Sequence, residues 1–218
     1  MKSMKENQTA SIKRFWWIGA LGLGIVVAFV LGIFFARTQS SASAQDILFA
    51  QHMTVHHSQA VEMATTLRDR TSDENLKVLA FDIMLTQQTQ IGMMQGWLQM
   101  WKQPAAVPIG DMMQAMGMAT QEQVNALNTL PSPELEKEFF RLMIRHHQGG
   151  VAMAQQEVDK GSDPVVKRLA QSIVDSQKAE IAYIQGLLQR LGAPPLPSAT
   201  PMPMNHGAMP MNDGTIAP

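Results

Sequence analysis

Apolar side chains recur every three or four residues over two long parts of the chain, residues 45–101 and 132–191. This spacing places side chains on one face of an α-helix. Each part holds two such periodic stretches, separated by a short polar turn near residues 70–72 and 160–163. Short turns join antiparallel neighbours. The pattern therefore predicts an all-α fold in which two helix hairpins pack into a four-helix bundle.

The two hairpins are copies of one sequence. When residues 49–98 are laid over residues 139–188 without a gap, about 19 of the 50 positions are identical. Because the offset is a constant 90, every residue of the first copy has an equivalent in the second. We expect such an internal duplication to repeat its structure as well as its sequence.

Two short motifs mark where the second helix of each copy begins. Thr71 and Glu74 have the Thr-x-x-Glu spacing of a capping box. Asp163 followed by Pro164 combines a favoured N-cap residue with proline at the first helical position. We expect a helix start at both places.

The segments outside the hairpins are rich in methionine. Residues 102–131 form a crossover long enough to connect the two hairpins, with a short helix predicted from Gln121 to Thr129. Residues 192–218 are rich in proline, alanine and methionine. This composition predicts a disordered tail.

The N-terminal end predicts a membrane anchor. Residues 1–14 contain lysine and arginine, which stay on the cytoplasmic side, and residues 15–36 carry no charge over a length that spans a bilayer. A linker at 37–44 then leads to an exported domain. Cleavage after the small residues 42–44 would secrete the domain instead. Glycine and alanine every four residues give the anchor a face that allows a homodimer.

Composition excludes several classes of function. The chain of 218 residues has a formal net charge of −1, which gives no indication of nucleic-acid binding. It has no cysteine, so disulfides, thiolate metal sites and cysteine nucleophiles are excluded. Eighteen methionines leave thioether as the soft sulfur ligand of this protein.

Two adjacent histidine pairs, each with methionines at matching positions, lie along the apolar faces of the two first helices. The eight residues are Met53, His56, His57, Met63, Met143, His146, His147 and Met153. Imidazole together with thioether suits copper, and thioether selects Cu(I). We therefore predict that these residues are copper ligands. The competing interpretation is that the histidines are core residues with ordinary hydrogen-bond partners.

Further residues are secondary candidates for the same chemistry. His52 precedes the first pair by one turn, and no helical apolar face is expected to bury the methionines of the crossover or those of the tail. Those residues are Met112, Met113, Met116, Met118, Met202, Met204, His206, Met209 and Met211. They would act as flexible copper collectors, although drift in a low-complexity linker would give the same composition. Gln87 and Gln177 lie on the apolar faces of the second helices, where an amide could orient a liganding imidazole.

The repeated pattern Phe-x3-Met-x2-His-His-x5-Met-Ala, with Gln-x3-Ile in the second helix, resembles the family known as domain of unknown function 305. The resemblance covers roughly residues 45–191. It implies a ferritin-like four-helix bundle that is commonly exported and, for the CopM-type periplasmic members, copper binding and copper tolerance. It implies the same eight ligands. In this family a glutamate is usual at the position of Gln90. The equivalent residue of the second copy, Glu180, is a glutamate.

The leading interpretation is a copper-binding protein on the non-cytoplasmic side that sequesters Cu(I) or Cu(II) or transfers it to a partner. We expect no enzyme, because the Glu-x-x-His pairs of di-iron bundles do not occur in the chain and no nucleophile–base set is visible. The alternative is a metal-free, membrane-anchored interaction module with a methionine-rich surface. A copper-dependent oxidoreductase is the third interpretation.

Overall fold

The computed structural model describes residues 42–105, 107–110 and 112–197, and this part of the chain is all-α, as predicted. Its helices are α1 (Ala44–Arg70), α2 (Glu74–Met100), α3 (Met112–Ala115), α4 (Gln121–Ala126), α5 (Glu134–Lys160) and α6 (Pro164–Arg190). The four long helices have 27 residues each, so the duplication preserves helix length as well as sequence.

The predicted hairpins are confirmed. Helix α1 packs against α2, and α5 packs against α6. Each pair is joined by three residues, 71–73 in the first copy and 161–163 in the second. Helix α1 also contacts α5. The two first helices of the duplication, which carry the histidine pairs, therefore bring the hairpins together.

The second helix of each copy is capped by an aspartate. Asp73 accepts hydrogen bonds from the backbone N–H groups of the second and third residues of α2, and Asp163 does the same for α6. The prediction that Thr71 caps α2 was wrong. Thr71 instead ends α1, and its hydroxyl donates to Glu136 at the start of α5 over 2.9 Å. The duplication was the better guide, because Asp73 is the equivalent of Asp163.

The crossover is held against both hairpins. Its α4 begins with a capping box between Thr120 and Gln123, close to where a helix was predicted, and α3 was not predicted. The side-chain amide of Gln59 donates to the carbonyl of Ala119 over 2.9 Å and accepts from its N–H over 2.8 Å. On the other side, a Cβ at Gly149 of α5 would collide with the backbone of the crossover. The segment therefore fits closely between α1 and α5.

Buried apolar residues form two clusters. The Phe49 cluster is built from residues 49, 50, 53, 94, 98, 109, 116, 153, 154, 166, 169, 170, 173 and 174. The Phe139 cluster includes Phe139 and Phe140 together with residues 60, 63, 64 and 67 of α1 and residues 184, 187 and 188 of α6. Along both α1 and α5, the histidine pair lies between the residues of one cluster and those of the other. The histidines thus form a polar layer inside an apolar interior.

The beginning of the predicted disordered tail is ordered. Ala193 is buried, and Leu196 packs against the Phe139 cluster. The Gln185 side chain donates to the Leu196 carbonyl over 2.7 Å and accepts from its N–H over 3.0 Å. Residues 192–197 therefore belong to the folded part, because Gln185 of α6 binds the backbone of Leu196 and the side chains of Ala193 and Leu196 pack against the core.

No helix in the described part of the chain has the length and apolar character needed to cross a membrane. The predicted anchor at residues 15–36 and the predicted tail from residue 198 onward lie outside the described residues.

Candidate metal centre

The two histidine pairs meet where α1 contacts α5. The imidazole rings of His56 and His146 stack, with centroids 3.6 Å apart and ring planes inclined by 25°. His57 lies beside His56, and His147 beside His146, each at a centroid distance of 6.1 Å. All four residues are fully buried. The duplication therefore brings four imidazoles into one layer inside the protein.

Two of these imidazoles donate to main-chain carbonyls. His56 Nε2 lies 3.0 Å from the carbonyl oxygen of Met116, and His146 Nε2 lies 2.9 Å from the carbonyl oxygen of His56. A carbonyl oxygen only accepts hydrogen bonds, so both Nε2 atoms carry the proton. The lone pair that can bind a metal is then on Nδ1 of each ring.

The other two imidazoles donate to side chains of the second helices. His57 Nε2 donates to Gln90 Oε1 over 2.7 Å, and His147 Nε2 donates to Glu180 Oε2 over 2.6 Å. Both acceptors follow their histidine by 33 residues, so the duplication repeats this bond. The sequence places Glu180 only at the flank of the α6 apolar face. The shared separation of 33 residues was the signal that could have identified both acceptors.

All four imidazole Nδ1 atoms are buried and have no hydrogen-bond partner in the described part of the chain. Leaving one buried polar atom unpaired costs about 1–3 kcal/mol, so native structures contain few of them. Four in one layer fit a set of metal ligands, because a liganding histidine binds the metal through one nitrogen while its other N–H holds the ring in place. The competing interpretation, core histidines with all their hydrogen bonds satisfied, does not account for these atoms.

Burial keeps His56, His57 and His146 uncharged. Removal from water lowers the pKa of His57 to about 3, even though the hydrogen bond to Gln90 raises it. Burial, and then the neighbouring histidines, lower the pKa of His56 and that of His146 well below the usual value. Neutral imidazole is the form that binds a metal ion. These three rings are therefore in the binding form at neutral pH.

The four core methionines lie in two groups, divided between the two apolar clusters. Met53 and Met153 belong to the Phe49 cluster, whereas Met63 and Met143 belong to the Phe139 cluster. All four are buried. Each group combines one methionine from each copy, so thioether sulfur is present in both clusters that border the histidine layer. Among the described residues, no three His, Asp or Glu side chains form a group arranged to hold one metal ion.

The family known as domain of unknown function DUF305 matches residues 46–188, which contain both histidine pairs. The chain belongs to the DUF305 family. A DUF305 fragment from Deinococcus radiodurans is 42% identical with a TM-score of 0.65, and the match covers 68% of this chain and 98% of the fragment. A DUF305 protein of Streptomyces coelicolor, described as a candidate secreted protein, is 43% identical with a TM-score of 0.65, over 70% of this chain and 96% of the other.

CopM, which has been solved with copper bound, is among the solved structures that this chain resembles. Its Cu(I)-bound form is 32% identical to this DUF305 chain with a TM-score of 0.57, over 67% of this chain and 96% of CopM. CopM has also been solved in Cu(II)-bound and silver-bound forms. None of the curated proteins compared matches the chain.

The crossover of this DUF305 chain is not the flexible segment expected from its sequence. Met116 is fully buried in the Phe49 cluster, and its carbonyl accepts the His56 hydrogen bond. Met112, Met113 and Met118 are partly buried against the same cluster. The prediction that no apolar face would bury these side chains was wrong. The periodicity of the crossover itself shows no apolar face here, but the apolar residues of the neighbouring helices bury its methionines.

The remaining predicted residues are placed as follows. His52 is buried in α1, one turn before His56. Gln87 and Gln177 are each 3% exposed, and the Gln177 amide occupies the space that a side chain at Gly150 would fill. Both Gln87 amide atoms and Gln177 Oε1 have no hydrogen-bond partner among the described residues. The tail candidates lie outside the described part of the chain, and they are Met202, Met204, His206, Met209 and Met211.

Proposed function

We propose that this DUF305 protein is a copper-binding ferritin-like four-helix bundle that sequesters or transfers copper on the non-cytoplasmic side and contributes to copper tolerance. It binds the ion and catalyses no reaction. The ligands are the imidazole Nδ1 atoms of the two histidine pairs and the sulfur atoms of the four core methionines. They form two copper half-sites, one on each side of the stacked His56 and His146 rings. One is the His57 half-site and the other is the His147 half-site, each named after the further imidazole that it contains.

The observation that carries this proposal is the set of four unpaired Nδ1 atoms in a buried layer. Each ring is oriented by a hydrogen bond at Nε2, and its Nδ1 lone pair is left without a protein partner. Thioether sulfur from Met53 and Met153 is buried in one adjoining cluster and that from Met63 and Met143 in the other. Imidazole serves both oxidation states of copper, and thioether favours Cu(I).

The relatives support the metal and the compartment. CopM, 32% identical over two thirds of this chain, has been solved with Cu(I), with Cu(II) and with silver, which shares the preference of Cu(I) for soft ligands. The candidate secreted relative from Streptomyces supports export. The uncharged residues 15–36 would anchor the exported domain in the membrane, and cleavage near residue 44 would release it.

A chelator competition with Cu(I) tests the ligand assignment. Met53→Leu and Met143→Leu keep the side-chain volume and remove only the sulfur, so the fold should persist. We expect each variant to weaken Cu(I) binding by more than the roughly 10–100-fold that follows loss of an outer-shell partner. Met100→Leu is the matched control, because Met100 is 70% exposed on α2 and should leave the affinity unchanged.

The outcomes distinguish failure of the copper-binding function from failure of the methionine ligand assignment. Absence of copper binding by the wild-type chain would refute the function, whereas wild-type affinity in both Leu variants would refute the thioether ligands. Far-ultraviolet circular dichroism of each variant shows whether the helices are intact.

One surface feature favours the alternative function, a metal-free helical module that binds a protein partner. Val78, Phe81 and Leu85 of α2 are 60%, 51% and 57% exposed, and their spacing of three and four places them on one face. An exposed apolar helix face is typical of an interaction surface. This function predicts self-association or partner binding that does not change when copper is added, and analytical ultracentrifugation with and without Cu(I) measures it.

A further inference from the structure

The two copies of the histidine site differ in charge. His57 donates to the neutral amide of Gln90 over 2.7 Å, and His147 donates to the carboxylate of Glu180 over 2.6 Å. The acceptors are equivalent in the duplication, and the two bonds have nearly the same length. The geometry has thus been kept while a formal negative charge is present in one copy and absent from the other.

The difference matters because the acceptor acts on the metal-binding atom through the ring. A carboxylate that accepts the Nε2 proton draws it away from the imidazole, which makes the lone pair on Nδ1 a stronger donor. An amide oxygen orients the ring equally well but adds no charge. His147 is fully buried, whereas the Glu180 side chain is 27% exposed, so its charge is partly hydrated and still close to the ring.

We propose that Glu180 makes the His147 half-site the Cu(II)-preferring site of this protein and that Gln90 leaves the His57 half-site selective for Cu(I). The inference rests on the proposed copper-binding function and adds a division of labour between the two copies. Glu180 and Gln90 are positioning residues, since they act through the imidazoles that they bind.

The expected effect differs for the two oxidation states. Coulomb attraction is proportional to the charge of the ion, so at one position the carboxylate attracts Cu(II) twice as strongly as Cu(I). Because the dissociation constant depends exponentially on the binding free energy, doubling the change in free energy squares the fold-change in the dissociation constant. Loss of an outer-shell partner typically weakens binding about 10–100-fold. If Glu180→Gln weakens Cu(I) binding about threefold to tenfold, it should therefore weaken Cu(II) binding about 10–100-fold.

The decisive quantity is the ratio of the Cu(II) and Cu(I) dissociation constants. A purely structural role for Glu180, in which it only holds the ring, would weaken both ions equally and leave the ratio unchanged. It would also be replaced by glutamine without loss, because Gln90 already holds His57 in that way. Only a charge effect moves the ratio.

The experiment titrates the full chain with Cu(II) against one competing chelator and with Cu(I), under a reductant, against another. The variants are Glu180→Gln, Gln90→Glu and the double exchange. Glu62→Gln is the control, because it removes one carboxylate from an exposed position of α1. Electron paramagnetic resonance of the Cu(II)-loaded proteins reports whether the Cu(II) environment has changed.

We expect Glu180→Gln to shift the ratio toward Cu(I) about threefold to tenfold, Gln90→Glu to shift it toward Cu(II), and the double exchange to restore it. The control should match the wild type. Equal losses for both ions, or no loss in Glu180→Gln, would overturn the inference while the copper function stands. Failure of the wild-type chain to bind either ion would overturn both.

Discussion

A single methyl group at position 149 should disturb both the stability of the protein and the histidine layer. Gly149 of α5 lies against the crossover, and a Cβ there would collide with the carbonyl group of Met116. That carbonyl accepts the hydrogen bond from His56 Nε2. In Gly149→Ala the crossover has to move away from α5, and the acceptor of His56 moves with it.

The magnitude follows from three contributions. Loss of the hydrogen bond leaves a buried N–H unpaired, which costs about 1–3 kcal/mol. Displacing a closely fitted segment costs about 1–3 kcal/mol. Replacing a glycine inside a helix with alanine returns about 0.5–1 kcal/mol. We therefore expect Gly149→Ala to lower the free energy of unfolding of the metal-free protein by about 3 kcal/mol and to weaken copper binding, because His56 loses its orientation.

Urea unfolding followed by circular dichroism measures the first effect, and Cu(I) competition measures the second. Gly186→Ala is the matched control, since Gly186 is also inside a long helix but a Cβ there would have no atom within 4 Å. The control should gain about 0.5–1 kcal/mol and bind copper as the wild type does. If Gly149→Ala proves as stable as Gly186→Ala, the close contact between the crossover and α5 does not exist in solution.

Three further predictions concern pH and the tail. Burial lowers the pKa of His57 to about 3, below its ordinary 6.5, so this group alone should cost the metal-free protein about 1.4 kcal/mol of stability for each pH unit between about 6.5 and 3. His56 and His146, whose pKa values are also lowered, add to this loss, and a urea midpoint that is the same at pH 5 and pH 7 would contradict it. Burial beside Asp46 raises the pKa of Glu157 to about 8, so stability should fall as pH rises from about 4.5 to 8, and Glu157→Gln should unfold at higher urea than the wild type at pH 9 but not at pH 4. A chain ending at Pro197 keeps the segment that Gln185 holds and should retain the tight copper sites, losing only weaker ions in the stoichiometry measured by mass spectrometry; loss of all binding would place the primary sites in the tail.

Most of the architecture could be predicted from periodicity. A spacing of three and four residues predicts α1, α2, α5 and α6, and the constant offset of 90 predicts that α5 and α6 repeat α1 and α2. The ends of helices were harder, because Thr71 has the local pattern of a cap but its hydroxyl bonds Glu136 of the other hairpin. Thr71 and Asp73 were both possible caps of α2. Thr71 is instead engaged by a residue that lies 65 positions away in the sequence.

The site was predicted in kind but not in arrangement. Periodicity places His56 and Met53 on one face of α1, and the structure buries them both. Periodicity does not show that each apolar cluster contains one methionine from each copy, as the Phe49 cluster does with Met53 and Met153. That grouping depends on how α1 contacts α5, which is a property of tertiary structure. The role of the Met116 carbonyl was likewise hidden, since a backbone acceptor has no sequence signature.

The duplication keeps the histidines and changes what surrounds them, which is the reason to expect two unlike sites. Position 150 is glycine, and the Gln177 amide occupies the space that a side chain there would fill. The equivalent position in the first copy is Ala60, whose Cβ is present, so Gln87 cannot approach α1 in the same way. The exchange of an amide for a carboxylate at positions 90 and 180 is another difference, and it lies directly against imidazoles that the duplication repeats. Two equal sites need no such differences, whereas a protein that holds copper in two oxidation states needs its donors tuned apart while the rings themselves stay in place.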